Sequence, residues 1–171
     1  MPGHAILSHG LHSSPAATKV SALARVAEQL GWTCERPDYT DLDATRDIAR
    51  VNDRLQRLVE RCRQAPRPLV LAGSSMGAYI SALASLEVPC AGLFLIAPPV
   101  HLEGYPRLLR AAVVPTVIVH GWNDEICPVG DVIRWAQRRH DRLLVVDDGH
   151  RLEGHVEFCA ETFGRFLAGL A

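Results

Sequence analysis

A serine, an aspartate and a histidine in this sequence each lie just after a predicted strand: Ser75, Asp124 and His150. A serine hydroxyl is a poor nucleophile until a base removes its proton. Histidine titrates near neutral pH, so it can accept that proton and later return it. A carboxylate can hold the imidazole in one tautomer and stabilise its positive charge. These residues therefore predict nucleophilic attack by Ser75, with His150 as the base and Asp124 as its partner.

The surroundings of Ser75 support its role as the nucleophile. It is the central residue of Gly73-Ser74-Ser75-Met76-Gly77, between an apolar run over 69–72 and a segment of small and apolar residues over 78–84. A G-x-S-x-G pattern between a strand and a helix is typical of a nucleophile elbow, a sharp turn that exposes the serine hydroxyl. Bulkier residues at either glycine would collide across the turn. The alternative is a glycine-rich turn whose serines only cap the helix.

Two backbone N–H groups are predicted to bind an oxyanion beside Ser75. One belongs to Met76 at the start of the following helix, where N–H groups point at the site. The other belongs to Leu11, which follows the first predicted strand, and the neighbouring Gly10 allows a close approach. We expect His12 and Trp122 to contact the substrate.

Other acidic residues compete with Asp124 for the role of the acid. Glu125 is adjacent and can be read as a surface charge, whereas Asp147 and Asp148 are expected to cap or turn the loop before His150.

Among the histidines, His155 competes with His150 as the base but is expected to begin the last helix. His9 is predicted to hydrogen-bond the loop that carries Leu11. His120 ends a predicted strand, so we expect a satisfied core histidine there.

The composition excludes several classes of protein. The chain has 171 residues, 48% of them apolar, and a net charge of −1 with mixed signs. It therefore carries no electrostatic signature for nucleic acid or anionic membrane. Five dispersed cysteines predict free thiols. The sequence contains no H-E-x-x-H motif, no Cys/His cluster and no glycine-rich phosphate loop, so we expect neither a metal nor a nucleotide cofactor. With no secretion signal and no apolar run of membrane length, a cytoplasmic protein is expected.

Six predicted strands alternate with helices along the chain. Most strands are continuous apolar runs, which is typical of a parallel sheet covered on both faces. This predicts a doubly wound, three-layer α/β/α sandwich with a mainly parallel six-stranded sheet, and a site beyond the carboxyl ends of the strands. Helices are expected over 16–30, 44–63, 76–86 and 129–139 and after Gly154, and the segment 97–112 is expected to be a loop with one helical turn.

Together these motifs resemble the α/β-hydrolase superfamily, in particular its small bacterial serine esterases without a cap. The resembling segments are His9-Gly10-Leu11, Gly73–Gly77, the loop from Gly121 through Asp124 to Pro128, and Gly149-His150. The resemblance implies the strand order 2-1-3-4-5-6, a Ser75–His150–Asp124 triad and an acyl-enzyme. Two features depart from the family: its usual first two strands are absent, and its cap is reduced to the loop 97–112. Residues 1–171 are therefore expected to form a single domain without a cap.

The expected reaction is hydrolysis of a carboxylic ester, on a small molecule with a short or otherwise accessible acyl group. Cleavage of a thioester, lactone or amide by the same three residues is an alternative. A more distant alternative is a non-catalytic binding module of hydrolase ancestry. The sequence indicates neither the natural substrate nor the oligomeric state.

Overall fold

The computed structural model describes residues 2–170, and its centre is a six-stranded sheet in which all paired strands are parallel. The spatial order of the strands is β2-β1-β3-β4-β5-β6. This confirms the predicted fold class and strand order. The strands are β1 (His4–Ser8), β2 (Thr33–Glu35), β3 (Leu69–Ser74), β4 (Gly92–Ile96), β5 (Thr116–Gly121) and β6 (Arg142–Val146).

Residues 2–170 contain six α-helices: α1 (Thr18–Gln29), α2 (Thr40–Asp43), α3 (Val51–Gln64), α4 (Met76–Ala84), α5 (Val129–Arg139) and α6 (Val156–Leu170). Short 3-10 turns precede α3 and α6. None of the helices within residues 2–170 is both long enough and apolar enough to cross a membrane. All five cysteines are free, as predicted.

The sheet separates two apolar layers, because successive side chains of a strand point to opposite faces. In β3, Leu69 and Leu71 pack in the layer that contains α3, α4 and α5. Val70 and Ala72 pack in the layer that contains α1 and α6. Both faces of the central strands are therefore buried, which explains their uninterrupted apolar sequences.

The prediction of one helix over 44–63 is wrong in its first part. The chain leaves α2 after Asp43, and Arg46 adopts a left-handed conformation with φ of 55°. The Asp47 side chain then accepts a hydrogen bond from the N–H of Ala49 at 3.0 Å and begins a 3-10 turn that leads into α3. The apolar spacing continues across this break, so the spacing alone did not reveal it.

The helical turn expected within 97–112 is also not observed. Instead, the N–H of Tyr105 donates to the carbonyl of Leu102 at 3.1 Å, and the two residues form an isolated antiparallel bridge. Gly104 stands inside this turn with φ of +75°, a conformation that interrupts a right-handed helix.

Candidate active site

The turn between β3 and α4 places Ser75 in a strained backbone conformation, with φ of 54° and ψ of −115°. A Cβ atom on Gly73 would lie 2.3 Å from the carbonyl carbon of Gly77. A Cβ atom on Gly77 would lie 2.0 Å from the carbonyl oxygen of Ser8 in β1. The prediction that both flanking positions need glycine is therefore confirmed, and the strain holds the serine at the edge of the sheet.

Ser75, His150 and Asp124 form one continuous chain of hydrogen bonds. Ser75 Oγ lies 2.9 Å from His150 Nε2, and His150 Nδ1 lies 2.8 Å from Asp124 Oδ2. The three residues follow β3, β6 and β5, so the carboxyl edge of the parallel sheet brings them together. Because an ionised carboxylate only accepts hydrogen bonds, Nδ1 of His150 carries the proton and Nε2 is free to accept from the serine hydroxyl.

Asp124 is buried at the end of this chain and is surrounded by donors. Its Oδ1 accepts the backbone N–H groups of Ile126 at 2.9 Å and Cys127 at 2.7 Å. Its Oδ2 accepts from His150 and lies 3.2 Å from His120 Nε2. Burial raises the pKa of the Asp124 carboxyl, but the hydrogen bonds from the two histidines and the two backbone groups outweigh it. The pKa lies well below its ordinary value, so Asp124 is ionised at neutral pH.

The three competing carboxylates have other partners. Glu125 accepts the backbone N–H of His150 at 3.4 Å, and Asp147 accepts from a side-chain amide in the loop after β5. Asp148 accepts two backbone N–H groups of its own loop and lies 2.8 Å from the ring of His155. These contacts shape the loop that carries His150, and the ring of His150 is bonded to Asp124 instead.

His120 is a residue of the site that the sequence analysis missed. Its side chain is completely buried, and its Nε2 lies 2.8 Å from the carbonyl oxygen of Cys127 and 3.2 Å from Asp124 Oδ2. Its Nδ1 has no hydrogen-bond partner among residues 2–170. The expectation of a core histidine is therefore confirmed, but the expectation that its hydrogen bonds are satisfied holds for Nε2 and not for Nδ1. The available signal was its position at the end of β5, four residues before Asp124, which places both at the same sheet edge.

The loop after β1 is held by the ring of His9. The backbone N–H of Tyr39 donates to His9 Nε2 at 3.0 Å, and His9 Nδ1 lies 2.7 Å from the carbonyl oxygen of Gly10. Nε2 therefore has no proton, Nδ1 donates, and the ring is neutral. Burial lowers the pKa of His9, in agreement with this assignment. The predicted role of His9 in hydrogen-bonding this loop is confirmed.

A buried ion pair also contacts the loop after β1 and stabilises it. Arg54 of α3 has 1% of its surface exposed, and its Nε lies 3.2 Å from Asp43 Oδ1. Arg54 Nη2 donates to the carbonyl of His9 at 3.2 Å, and its guanidinium carbon lies 4.4 Å from the centre of the Tyr39 ring. Asp43 Oδ2 in turn accepts the N–H of His12 at 3.1 Å. The ion pair thus fixes both ends of the loop that carries Leu11.

Three potential metal ligands also meet at the site. The ligand atoms of Asp124, Cys127 and His150 lie within 4.8 Å of one another, a cluster that the sequence spacing did not predict. The Asp124 carboxylate and the His150 ring are, however, already bonded to each other. Burial, with the charges of Asp124 and Glu125, raises the pKa of the Cys127 thiol to about 12, so the thiol stays protonated. The arrangement fits a proton-transfer chain better than a metal site.

The sequence matches a family model described as an alpha/beta hydrolase domain over residues 6–156. This chain belongs to the α/β-hydrolase family. Its structure superposes on a candidate hydrolase of the alpha/beta superfamily from Xanthomonas campestris pv. campestris with a TM-score of 0.94. The two sequences are 55% identical, and the match covers 98% of this chain and 99% of the other.

Two more distant structures share the hydrolase fold. An alpha-beta serine hydrolase homologue from Coxiella burnetii has a TM-score of 0.71 and 27% identity, over 96% of this chain and 85% of the other. Est1E from Butyrivibrio proteoclasticus has a TM-score of 0.72 and 18% identity, over 99% of this chain and 88% of the other, which shows the fold alone. The sequence has no significant match among curated proteins.

A cavity of about 310 Å³ lies beside the elbow of this α/β-hydrolase. Both residues predicted to donate to the oxyanion, Leu11 and Met76, border it, and so does His12. Its other apolar walls come from Leu42, Ile48 and Val51. Trp122 is more than half exposed in the loop after β5 and does not line this cavity. The roles of Leu11 and Met76 as donors, and of His12 and Trp122 as substrate contacts, stay predictions.

Proposed function

We propose that this chain is a serine hydrolase that cleaves carboxylic esters through an acyl-enzyme. The observation that carries the proposal is the chain of hydrogen bonds from Ser75 through His150 to Asp124, with distances of 2.9 and 2.8 Å. The family assignment and the similarity to a serine hydrolase homologue support it. The bond of Nδ1 to Asp124 turns Nε2 of His150 towards Ser75, which is the orientation that a general base requires.

In the proposed reaction, Ser75 Oγ attacks the carbonyl carbon of the ester while His150 Nε2 takes the hydroxyl proton. Asp124 stabilises the imidazolium that forms, and the backbone N–H groups of Met76 and Leu11 donate to the oxyanion. His150 then passes the proton to the departing alkoxide, which leaves an acyl-serine. A water molecule, activated by His150, attacks this acyl group and restores the free serine.

The cavity beside the elbow, which has both apolar and charged walls, supports a preference for small acyl groups. Its volume of about 310 Å³ is at the lower end of the range for ligand sites. In the proposed complex the acyl group enters this cavity and the alcohol portion faces solvent near Trp122, while His12 contacts the substrate. With one domain and no cap, the site would accept a small-molecule ester or an ester displayed on a larger molecule. The five free thiols support the expectation of a cytoplasmic enzyme.

Labelling with a fluorophosphonate probe tests the proposal directly, because the probe reacts fast only with a serine that has a base and an oxyanion site. We expect peptide mass spectrometry to find the label on Ser75, and expect Ser75→Ala and His150→Ala to abolish it. Ser74→Ala is the matched control, since Ser74 is the adjacent serine of the elbow and should leave labelling intact. A folded wild-type protein without label would instead favour the binding module.

Hydrolysis rates on matched oxygen esters and thioesters separate the remaining reactions. We expect turnover to be highest for short-chain oxygen esters and to fall as the acyl chain outgrows the cavity. A clear preference for thioesters, lactones or amides would agree with the three-residue mechanism but would show that carboxylic esters are the wrong substrate class.

A further inference from the structure

The position of His120 fixes its ring beside the acid of the site. The residue lies near the end of β5, where its backbone pairs with Val145 of β6, and its side chain is 0% exposed. The strand is covered on both sides by β4 and β6, so neither backbone nor ring can move without disturbing the sheet.

The contacts of His120 determine where its proton lies. The carbonyl oxygen of Cys127, 2.8 Å from Nε2, can only accept a hydrogen bond, so Nε2 carries a hydrogen. The same nitrogen lies 3.2 Å from Asp124 Oδ2, so the N–H edge of the ring is in close contact with the carboxylate while it donates to the carbonyl. A second proton on Nδ1 would be buried without an acceptor among the described residues. The ring therefore donates to the carbonyl of Cys127 and presents the same N–H edge to the carboxylate.

Asp124 depends on this donor at the oxygen that matters for the reaction. Its Oδ1 is held by two backbone N–H groups, whereas its Oδ2 contacts, among the described residues, the rings of His150 and His120. His150 gains and loses a proton at Nε2 in each cycle while its Nδ1–H stays on Oδ2, so His120 is the contact of that oxygen that takes no part in the proton transfer. The His120 bond is one of the causes of the low pKa of Asp124.

We propose that His120 is a positioning residue for the reaction. It holds Asp124 Oδ2 where that oxygen orients His150, and it ties the Cys127 carbonyl to the same point, so that the loop between Asp124 and Cys127 keeps its shape. The inference rests on the proposed function, because the orientation of Asp124 matters for turnover only if His150 is the base.

Three substitutions of His120 distinguish the effect of its N–H donor from the effect of the volume that its ring fills. Gln places its amide nitrogen four bonds from Cα, as Nε2 of His120 is, so His120→Gln should keep ester turnover within a few-fold of wild type. Asn places its amide nitrogen one bond closer, and Met fills a similar volume with no donor. We expect His120→Asn and His120→Met to lower kcat by about 10- to 100-fold, the size of effect seen when a residue that orients a metal ligand is lost. The free energy of unfolding of each variant is measured by urea denaturation alongside kcat.

Equal losses in all three variants, or losses in kcat that simply follow stability, would overturn the proposal. A second measurement tests the proposal without a comparison of unfolding free energies. If His120 acts through Asp124, His120→Met should cause no further loss of Ser75 labelling in an Asp124→Ala background, whereas an independent structural role would add its full effect. A wild-type protein that takes no label would overturn the proposed function and this inference together. A labelled wild type with a fully active His120→Met would overturn this inference alone.

Discussion

Four N–H groups surround the two oxygens of Asp124. Each of them is placed to donate to an oxygen and cannot act as an acceptor there. Two are backbone N–H groups, and the others are the rings of His150 and His120. A carboxylate satisfies all four, because both of its oxygens only accept. An amide cannot, since one of its two ends must present N–H groups to other donors.

We therefore expect Asp124→Asn to reduce kcat by about 10⁴-fold, the effect of the same change in serine proteases, because His150 loses its tautomer. The free energy of unfolding should fall as well, because a buried donor then faces donors. Ester hydrolysis and urea denaturation measure the two effects. Asp147→Asn is the control and should change neither property much. High activity in Asp124→Asn, with loss in Glu125→Gln or Asp148→Asn, would assign the acid to another residue.

Gly77 is the position where a single methyl group should be least tolerated. An added Cβ would lie 2.0 Å from the carbonyl oxygen of Ser8, which belongs to the backbone of the neighbouring strand. Gly77→Ala should destabilise the fold by about 3 kcal/mol or more, as overpacking of a rigid core does. Gly169→Ala, whose new Cβ meets no atom of residues 2–170 within 4 Å, should be neutral or slightly stabilising because alanine favours a helix. Equal unfolding midpoints for the two variants would contradict this prediction.

At this scale the sequence predicted that Ser75, Asp124 and His150 stand at one edge of the sheet, because each follows a strand, and the structure joins them by hydrogen bonds. Their catalytic roles stay predictions. It did not predict the contact of His120 with the acid. A histidine at a strand end can face either layer or the edge of the sheet, and only the fold decides which polar group it meets.

At the scale of elements, the break between α2 and α3 is the feature that shapes the substrate side of the site. It allows Asp43 at the end of α2 to reach Arg54 in the second turn of α3, and the cavity opens between these helices and the loop after β1. Helical periodicity predicted one helix over 44–63 because the apolar positions keep their spacing through the break. The left-handed residue is an arginine, a type that carries no turn signal.

We expect Arg54→Met to lower the free energy of unfolding by about 4 kcal/mol, because Asp43 would be left as a buried charge without a counterion. The double variant Asp43→Leu with Arg54→Met should recover much of that stability. It should not recover ester turnover, because the N–H of His12 loses its acceptor and the loop that carries Leu11 loosens. Urea denaturation and initial rates test both statements.

The surface pair formed by Arg57 and Asp41 provides the matched control. It has a shorter contact of 2.7 Å, but both side chains reach solvent. Arg57→Met should cost less than about 1 kcal/mol, since solvent screens such pairs. A cost as large as that of Arg54→Met would show that burial is not the cause of the difference.

At the scale of the whole molecule, buried neutral histidines control the response of stability to acid. Burial lowers the pKa of His9 and of His4 in the folded protein. In the unfolded chain their pKa is about 6.5, so below that pH the unfolded state binds protons that the folded state does not. Stability is therefore complete above about pH 6.5 and declines as the pH falls. The depressed pKa of Asp124 adds a loss only below about pH 4.

We predict that the free energy of unfolding decreases between pH 7 and pH 5, and that His9→Gln flattens this decrease. Urea denaturation at several pH values measures the slope. His101→Gln, at an exposed position in the loop after β4, should leave the slope unchanged. An unchanged slope in His9→Gln would assign the acid sensitivity to other groups.

The architecture at this scale was the most predictable part of the molecule. Continuous apolar runs predicted the buried strands, and the family resemblance implied the observed strand order. The contacts that hold the loop after β1 were not predictable. The hydrogen bond from the N–H of His12 to Asp43 joins residues 31 positions apart and depends on how this loop packs against α2.

The distance along the chain between Ser75 and its base has a consequence for biosynthesis. The two residues are 75 positions apart, and three strands of the sheet lie between them in sequence. A nascent or proteolysed chain that stops before β6 carries the serine without any partner to remove its proton. In the proposed mechanism hydrolysis can thus begin only after the last strand has docked, so the reactivity of Ser75 would report the completion of folding.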